Sequence, residues 1–147
     1  MSFATANRVN RYPIEPAGYD NTIIDAGGYW PDIDVAVAAD VMRVTGSITQ
    51  TRLIETLRNS LQHIKRLVMD YETTHGEADD RAQALFLRAV YFDAKADLIE
   101  RYRDYDATGA LDNRGDVSDE LAADSRRNSK WAVSDLLGKP RIFIEAL

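Results

Sequence analysis

The chain has 147 residues, 45% of them hydrophobic and 29% charged, enough for one domain with a modest core. No apolar run approaches the ~18–20 residues of a membrane span. The net charge of −6 argues against a free nucleic-acid binder, which shows a basic field, although an acidic surface would suit a conduit through which DNA must slide.

The opening Met-Ser-Phe-Ala-Thr-Ala-Asn-Arg lacks the charged-then-apolar layout of a signal peptide. The expectation is a protein made in a cytoplasm and not exported by the usual route. Residues 1–30 show no helical period and are rich in Tyr, Asn, Gly and Pro, the composition of an extended arm. Tyr12, Ile14, Tyr19, Tyr29 and Trp30 are too apolar for a solvated tail. The arm either packs on its own domain or contacts a neighbour.

Pro31, followed by Asp32 and Asp34, is read as opening a short helix through about Val41. Ser47-Ile-Thr-Gln50 has capping-box spacing. From there Ile54, Leu57, Leu61, Ile64, Val68 and Tyr71 recur at three–four spacing, widened by Leu53 and Leu67. That stripe predicts one long amphipathic helix ending near Thr74-His75-Gly76. A second long helix is expected from Glu77–Asp80 to about Tyr105, with the stripe Ala82, Leu85, Ala89, Phe92, Ala96 and Ile99 flanked by Phe86 and Val90. A polar loop, Asp106 to Asp116, separates it from a third that starts at Ser118-Asp119-Glu120.

The third helix carries Ala132, Val133, Leu136 and Leu137 and stops at Gly138, and Pro140 forbids a restart. The apolar run Arg141, Ile142, Phe143 and Ile144 follows, read as a strand that needs an acceptor. Nothing upstream offers a sheet to receive it, so another subunit is favoured. The expected fold is all-α: an antiparallel bundle of three long helices plus one short N-terminal helix. The boundaries are an extended N-terminal arm over 1–30, a helical domain over 31–138 and a C-terminal docking strand over 139–147.

Catalytic chemistry is poorly represented. There is no Cys, so disulfides and thiolate metal sites are excluded. The two His, His63 and His75, have no partner at metal-pair spacing and are read as structural. No phosphate loop or nucleophile motif is present, and no enzyme, cofactor or metal is expected. The best counter-candidate is the Asp104–Asp112 loop, which resembles the first nine positions of a helix–loop–helix calcium site. Its twelfth position is Gly115 where a bidentate Glu is needed, so a polar inter-helix loop is preferred to a calcium-dependent binding module. Arg126, Arg127 and Lys130 form a basic cluster, read as a solvated face or as intersubunit ion pairs in preference to a phosphate-binding role.

Trp30-Pro-Asp-Ile-Asp34, Arg43-Val-Thr-Gly46, Ile48-Thr49 and Arg52-Leu53 together resemble the GpL-type phage head completion proteins. The likeness continues through Ala89-Val-Tyr91, Ala94, Ala96 and Arg101-Tyr-Arg-Asp-Tyr-Asp106. It closes with Arg126-Arg127, Lys130-Trp-Ala-Val133, Asp135-Leu-Leu-Gly138 and Pro140-Arg141. It covers about residues 29–147; no single motif is decisive, but the ordered set is specific.

The resemblance implies a structural virion protein at the head–tail junction of a contractile-tailed bacteriophage, assembled in the host bacterial cytoplasm. Such a protein docks under the portal, stabilises the DNA-filled head and provides the platform for tail attachment. By analogy with other head–tail connector adaptors it forms a homo-oligomeric ring, a dodecamer, through which packaged DNA passes without specific binding. Its expected partners are the portal protein and tail or neck proteins, with no membrane; a tail-side completion or stopper subunit is the related alternative. The residues expected to carry portal or subunit contact are Trp131, Leu137, Arg141, Ile142, Phe143 and Ile144, with Tyr12, Ile14, Tyr19, Tyr29 and Trp30 as a neighbour-contacting arm.

Overall fold

The computed structural model of the protein describes residues 18–44, 48–105 and 112–141, with side chains except at 102–105 and 112–117. The described fold is mostly helical but not all-α. A two-stranded antiparallel sheet, β1 (Ile23–Ile24) and β2 (Ile33–Asp34), pairs Ile23 with Asp34 and Ile24 with Ile33. Two features make this turn-back possible. The strand positions are largely β-branched, and Gly27 and Gly28 sit at φ +96° and +94°, a region closed to most side chains. A Cβ on Gly27 would also lie 3.0 Å from Lys65 Nζ.

The first helix, α1 (Val35–Met42), starts four residues later than Pro31 suggests. Asp34 is its cap: one carboxylate oxygen accepts from the Ala36 and Val37 amides at 3.0 and 3.3 Å. That side-chain bond satisfies two of the helix's orphan donors, which Pro31 could not do. Next, α2 (Gln50–Leu67) is capped by Thr49, whose hydroxyl accepts from Arg52 N at 3.2 Å, so the cap is not Ser47. The single long helix expected to reach Thr74 is broken at Val68, and α3 (Met69–Thr74) completes it. Val68 is wholly buried at the bend, while Leu67 and Met69 on either side face out; Leu67 therefore lies off the apolar stripe.

The remaining helices are α4 (Asp80–Tyr105) and α5 (Asp112–Leu137). The second of these is already helical six residues before Ser118. From Leu85 to Glu100 only Arg88 is exposed, because α4 packs against α2, α5 and α1. Its apolar and small residues consequently run round the helix instead of forming one stripe.

Short side chains set the α4–α5 contact. Ala122, Ser125, Ser129 and Ala132 are buried at three–four spacing on α5. The Ser129 hydroxyl donates to the Ala89 carbonyl of α4 at 2.7 Å, an approach that a longer residue at 129 would block. Arg126 meets Glu100 near one end of the pair and Ser129 meets Ala89 further along, so the two helices run antiparallel. On the other side of α4 the core takes Leu53, Leu57, Leu61 and Ile64 from α2.

Segment 18–30 belongs to this core. Ile24, Ala26 and Trp30 are buried, and the Trp30 ring stacks on Phe86 at 4.4 Å between centroids and 5° between planes. Polar ties hold the segment to α2 and to the residues just before it. Lys65 Nζ donates to Ala26 O at 2.9 Å, Gln50 bonds Asp20 and Thr22, and the Tyr19 hydroxyl donates to Ile48 O at 2.7 Å.

Candidate docking surface

The end of α5 is shaped by two backbone bonds. Gly138 N–H reaches the Asp135 carbonyl at 3.3 Å, and Lys139 N–H reaches Ser134 O at 2.9 Å. With Gly138 at φ +67°, this is the glycine-terminated motif that satisfies the last carbonyls of a helix. The chain then turns back on α5. The guanidinium of Arg141 donates to both carboxylate oxygens of Asp135, at 3.3 and 3.0 Å. The same guanidinium sits 4.7 Å from the centre of the Trp131 ring.

Arg127, one turn before Trp131, lies 4.9 Å from that ring and pairs with Asp124. Trp131 is thus flanked by two arginines, each restrained by its own carboxylate. Cation–π contacts favour this arrangement. The hydrogen bond from Arg141 lowers the Asp135 pKa, outweighing the opposing effect of burial, and the nearby charges of Arg81 and Arg88 add to the lowering. The same bond raises the Arg141 pKa.

Trp131 is half-buried, Leu137 is half-buried against the core, and Arg141 is exposed. Together they fix where the following residues depart. Ile142, Phe143 and Ile144 lie outside the described residues, as do Tyr12 and Ile14 of the arm.

The described arm residues are engaged by their own domain. Trp30 is 2% exposed and so is a core residue, not a surface anchor for a neighbour. Tyr29 packs edge-on against it at 4.9 Å, and its hydroxyl donates to His75 O at 2.9 Å. Loss of hydration, with Tyr71 and nearby acids adding to it, raises the Tyr29 pKa. Tyr19 is half-buried against the core. The signal missed in the sequence is the sheet: pairing of Ile24 with Ile33 draws Trp30 inward.

The basic cluster also pairs within the chain. Arg126 donates to Glu100 from Nε at 3.0 Å and lies 3.8 Å from Asp93. The bond to Glu100 raises its pKa against the effect of burial, with the Glu100 and Asp93 charges adding. Arg126 therefore links α4 to α5 and is not reserved for another subunit.

The sequence reading also missed an apolar groove of about 330 Å³ between α1 and α4. Val41 and Met42 form one wall; Leu87, Tyr91 and Phe92 form the other, with Arg88 and Lys95 on the same helix. Val41 is 58% exposed and Val37, one turn earlier, 52%. Those two valines at four-residue spacing on a short helix were the available hint.

Among the described residues no cluster of three or more His, Asp or Glu could hold a metal ion. No described helix is long and apolar enough to cross a membrane. The middle of the Asp104–Asp112 loop lies outside the described residues, but both its ends are helical. His75 caps α3 and stacks on Tyr71 at 3.9 Å, and His63 is exposed.

Residues 73–147, just over half of the chain, match the family model described as phage head completion protein (GPL). The head completion/stabilization protein of Escherichia phage P2 is 27% identical over 148 residues, covering 90% of this chain and 87% of that protein. No solved structure matches.

Proposed function

The chain belongs to the phage head completion protein (GPL) family, and from that premise we propose that it is a head-to-tail adaptor that docks on the portal as a ring. In this reading the subunits complete and stabilise the DNA-filled head and offer a platform to the tail or neck proteins. A dodecamer is the stoichiometry we propose. A ring of identical subunits needs distinct donor and acceptor surfaces on each copy. The segment after Arg141 is the donor, and main-chain hydrogen bonds along an extended apolar segment would supply affinity.

The observation that carries this reading is the end of α5. A glycine-terminated helix, a proline and an Arg141–Asp135–Trp131 clamp fix the starting point of Ile142-Phe-Ile-Glu-Ala-Leu147. The overall charge of −6 suits a lumen that does not hold DNA phosphates.

The test is removal of residues 142–147, which leaves the clamp and the described fold intact. The truncated protein is expected to keep its helical circular dichroism and to lose co-sedimentation with portal rings. Truncated protein that still co-sediments overturns the assignment. Binding of the full chain to isolated tails and not to portal favours a tail-side completion or stopper subunit instead.

A further inference from the structure

We propose that, in the free subunit, the groove between α1 and α4 holds the chain's own C-terminal segment, residues 142–147. The groove is open, apolar and uncovered by any described residue. Val41, Leu87, Tyr91 and Phe92 all retain exposure there. On α4, Ala84, Leu87, Arg88, Tyr91 and Lys95 recur at three–four spacing, so they form one face pointing away from the α5 seam. Burial raises the Tyr91 pKa, with Asp34 adding to it, so this wall already carries a partly dehydrated hydroxyl.

Position supports the chain's own segment as occupant. Arg141 is tied to Asp135, and Asp135 feels the positive charge of both Arg81 and Arg88. Arg88 is itself part of the groove. The exit point of the segment is therefore within electrostatic range of one residue of the groove. Six extended residues span roughly 20 Å. From Ala84 to Lys95 the helix rises about 16 Å, so the segment is long enough to run the groove's length.

Chemistry supports it as well. The segment reads Ile142-Phe-Ile-Glu-Ala-Leu147, five apolar residues and one acid. The groove offers aliphatic and aromatic walls with two cations, Arg88 and Lys95. Glu145 has a complementary charge in reach, and alternate side chains of an extended segment can face the apolar walls. Stowage would cover an exposed apolar patch until assembly, since such patches otherwise drive association. This contact is separate from portal binding and is tested without the portal.

The chain has no Cys, so a pair of introduced thiols reports proximity directly. Val41→Cys and Ile144→Cys are placed together in the full chain, Val41 being 58% exposed so that its replacement spares the core. Mild oxidation is expected to give a monomer that runs faster than its reduced form in a denaturing gel. The control pair Leu121→Cys and Ile144→Cys is expected to give no such band; Leu121 is also exposed but lies far up α5 from the exit. Crosslinks only between copies would overturn the proposal and assign the groove to a neighbour's segment. No crosslink above the control would overturn it outright.

A second readout uses the natural side chains. Removing residues 142–147 is expected to raise the fluorescence of an apolar dye bound to the protein, and added Ile-Phe-Ile-Glu-Ala-Leu peptide should reverse the rise. Equal dye binding by full and truncated chains would overturn the proposal.

Discussion

Replacing Trp30 with Ala separates a core residue from an arm residue. Trp30 is 2% exposed, stacks face to face on Phe86 at 4.4 Å, and contacts Tyr29 and Tyr71. A buried Trp removes about 200 Å² from water, worth roughly 5 kcal/mol at ~25 cal/mol per Å². Measured Trp-to-Ala costs in cores, about 3–5 kcal/mol, agree. Against a domain stability of about 5–15 kcal/mol, the variant should lose about a fifth or more.

Trp30→Phe is the control. It keeps a ring on Phe86 and removes Nε1, which is buried with no hydrogen-bond partner; an orphaned polar group costs about 1–3 kcal/mol. The lost volume and the removed orphan oppose each other, so a change below about 1.5 kcal/mol is expected. Urea unfolding followed by circular dichroism at the helical band measures both variants. A loss under about 1 kcal/mol for Trp30→Ala, with assembly abolished, would refute the reasoning and return Trp30 to a neighbour-contacting role.

Two further outcomes follow from the helix packing and the exit clamp. Ser129→Ala removes one buried hydrogen bond to Ala89 O and should cost about 1 kcal/mol, whereas Ser129→Leu overpacks the α4–α5 seam and should cost about 1–3 kcal/mol or more; equal urea midpoints for the two would show that the helices do not meet there. Asp135 has a lowered pKa in the fold, so its contribution is present above the unfolded value near 3.8 and is lost as pH falls through the lower folded value. Asp135→Asn should mimic that loss at neutral pH by speeding tryptic cleavage after Arg141, and an unchanged cleavage rate would mean that the clamp does not hold in solution.

Local signals were legible where local physics decides the outcome. The apolar periods of α2 and α5 and the stop at Gly138 follow from side-chain spacing and from glycine's access to positive φ. So does the family, because its residues recur in order along the chain. Boundaries failed where two local signals competed. Pro31 can open a helix, but the Asp34 carboxylate satisfies the amides of Ala36 and Val37, and Thr49 outcompetes Ser47 in the same way.

The identity of a buried surface is another matter. Trp30 reads alike as an anchor for a neighbour or for its own core, since apolar area carries no address. Only pairing of Ile24 with Ile33, which turns the chain back over Phe86, decided it. The groove arises the same way: Val41 and Tyr91 are far apart in sequence, and no periodicity brings α1 across α4. The sequence by itself determined which segments are helical, where α5 ends and which family the chain belongs to. Tertiary structure decided which apolar residues its own core consumes and which remain available for docking, because burial depends on the surfaces that meet and not on the order in which the residues occur.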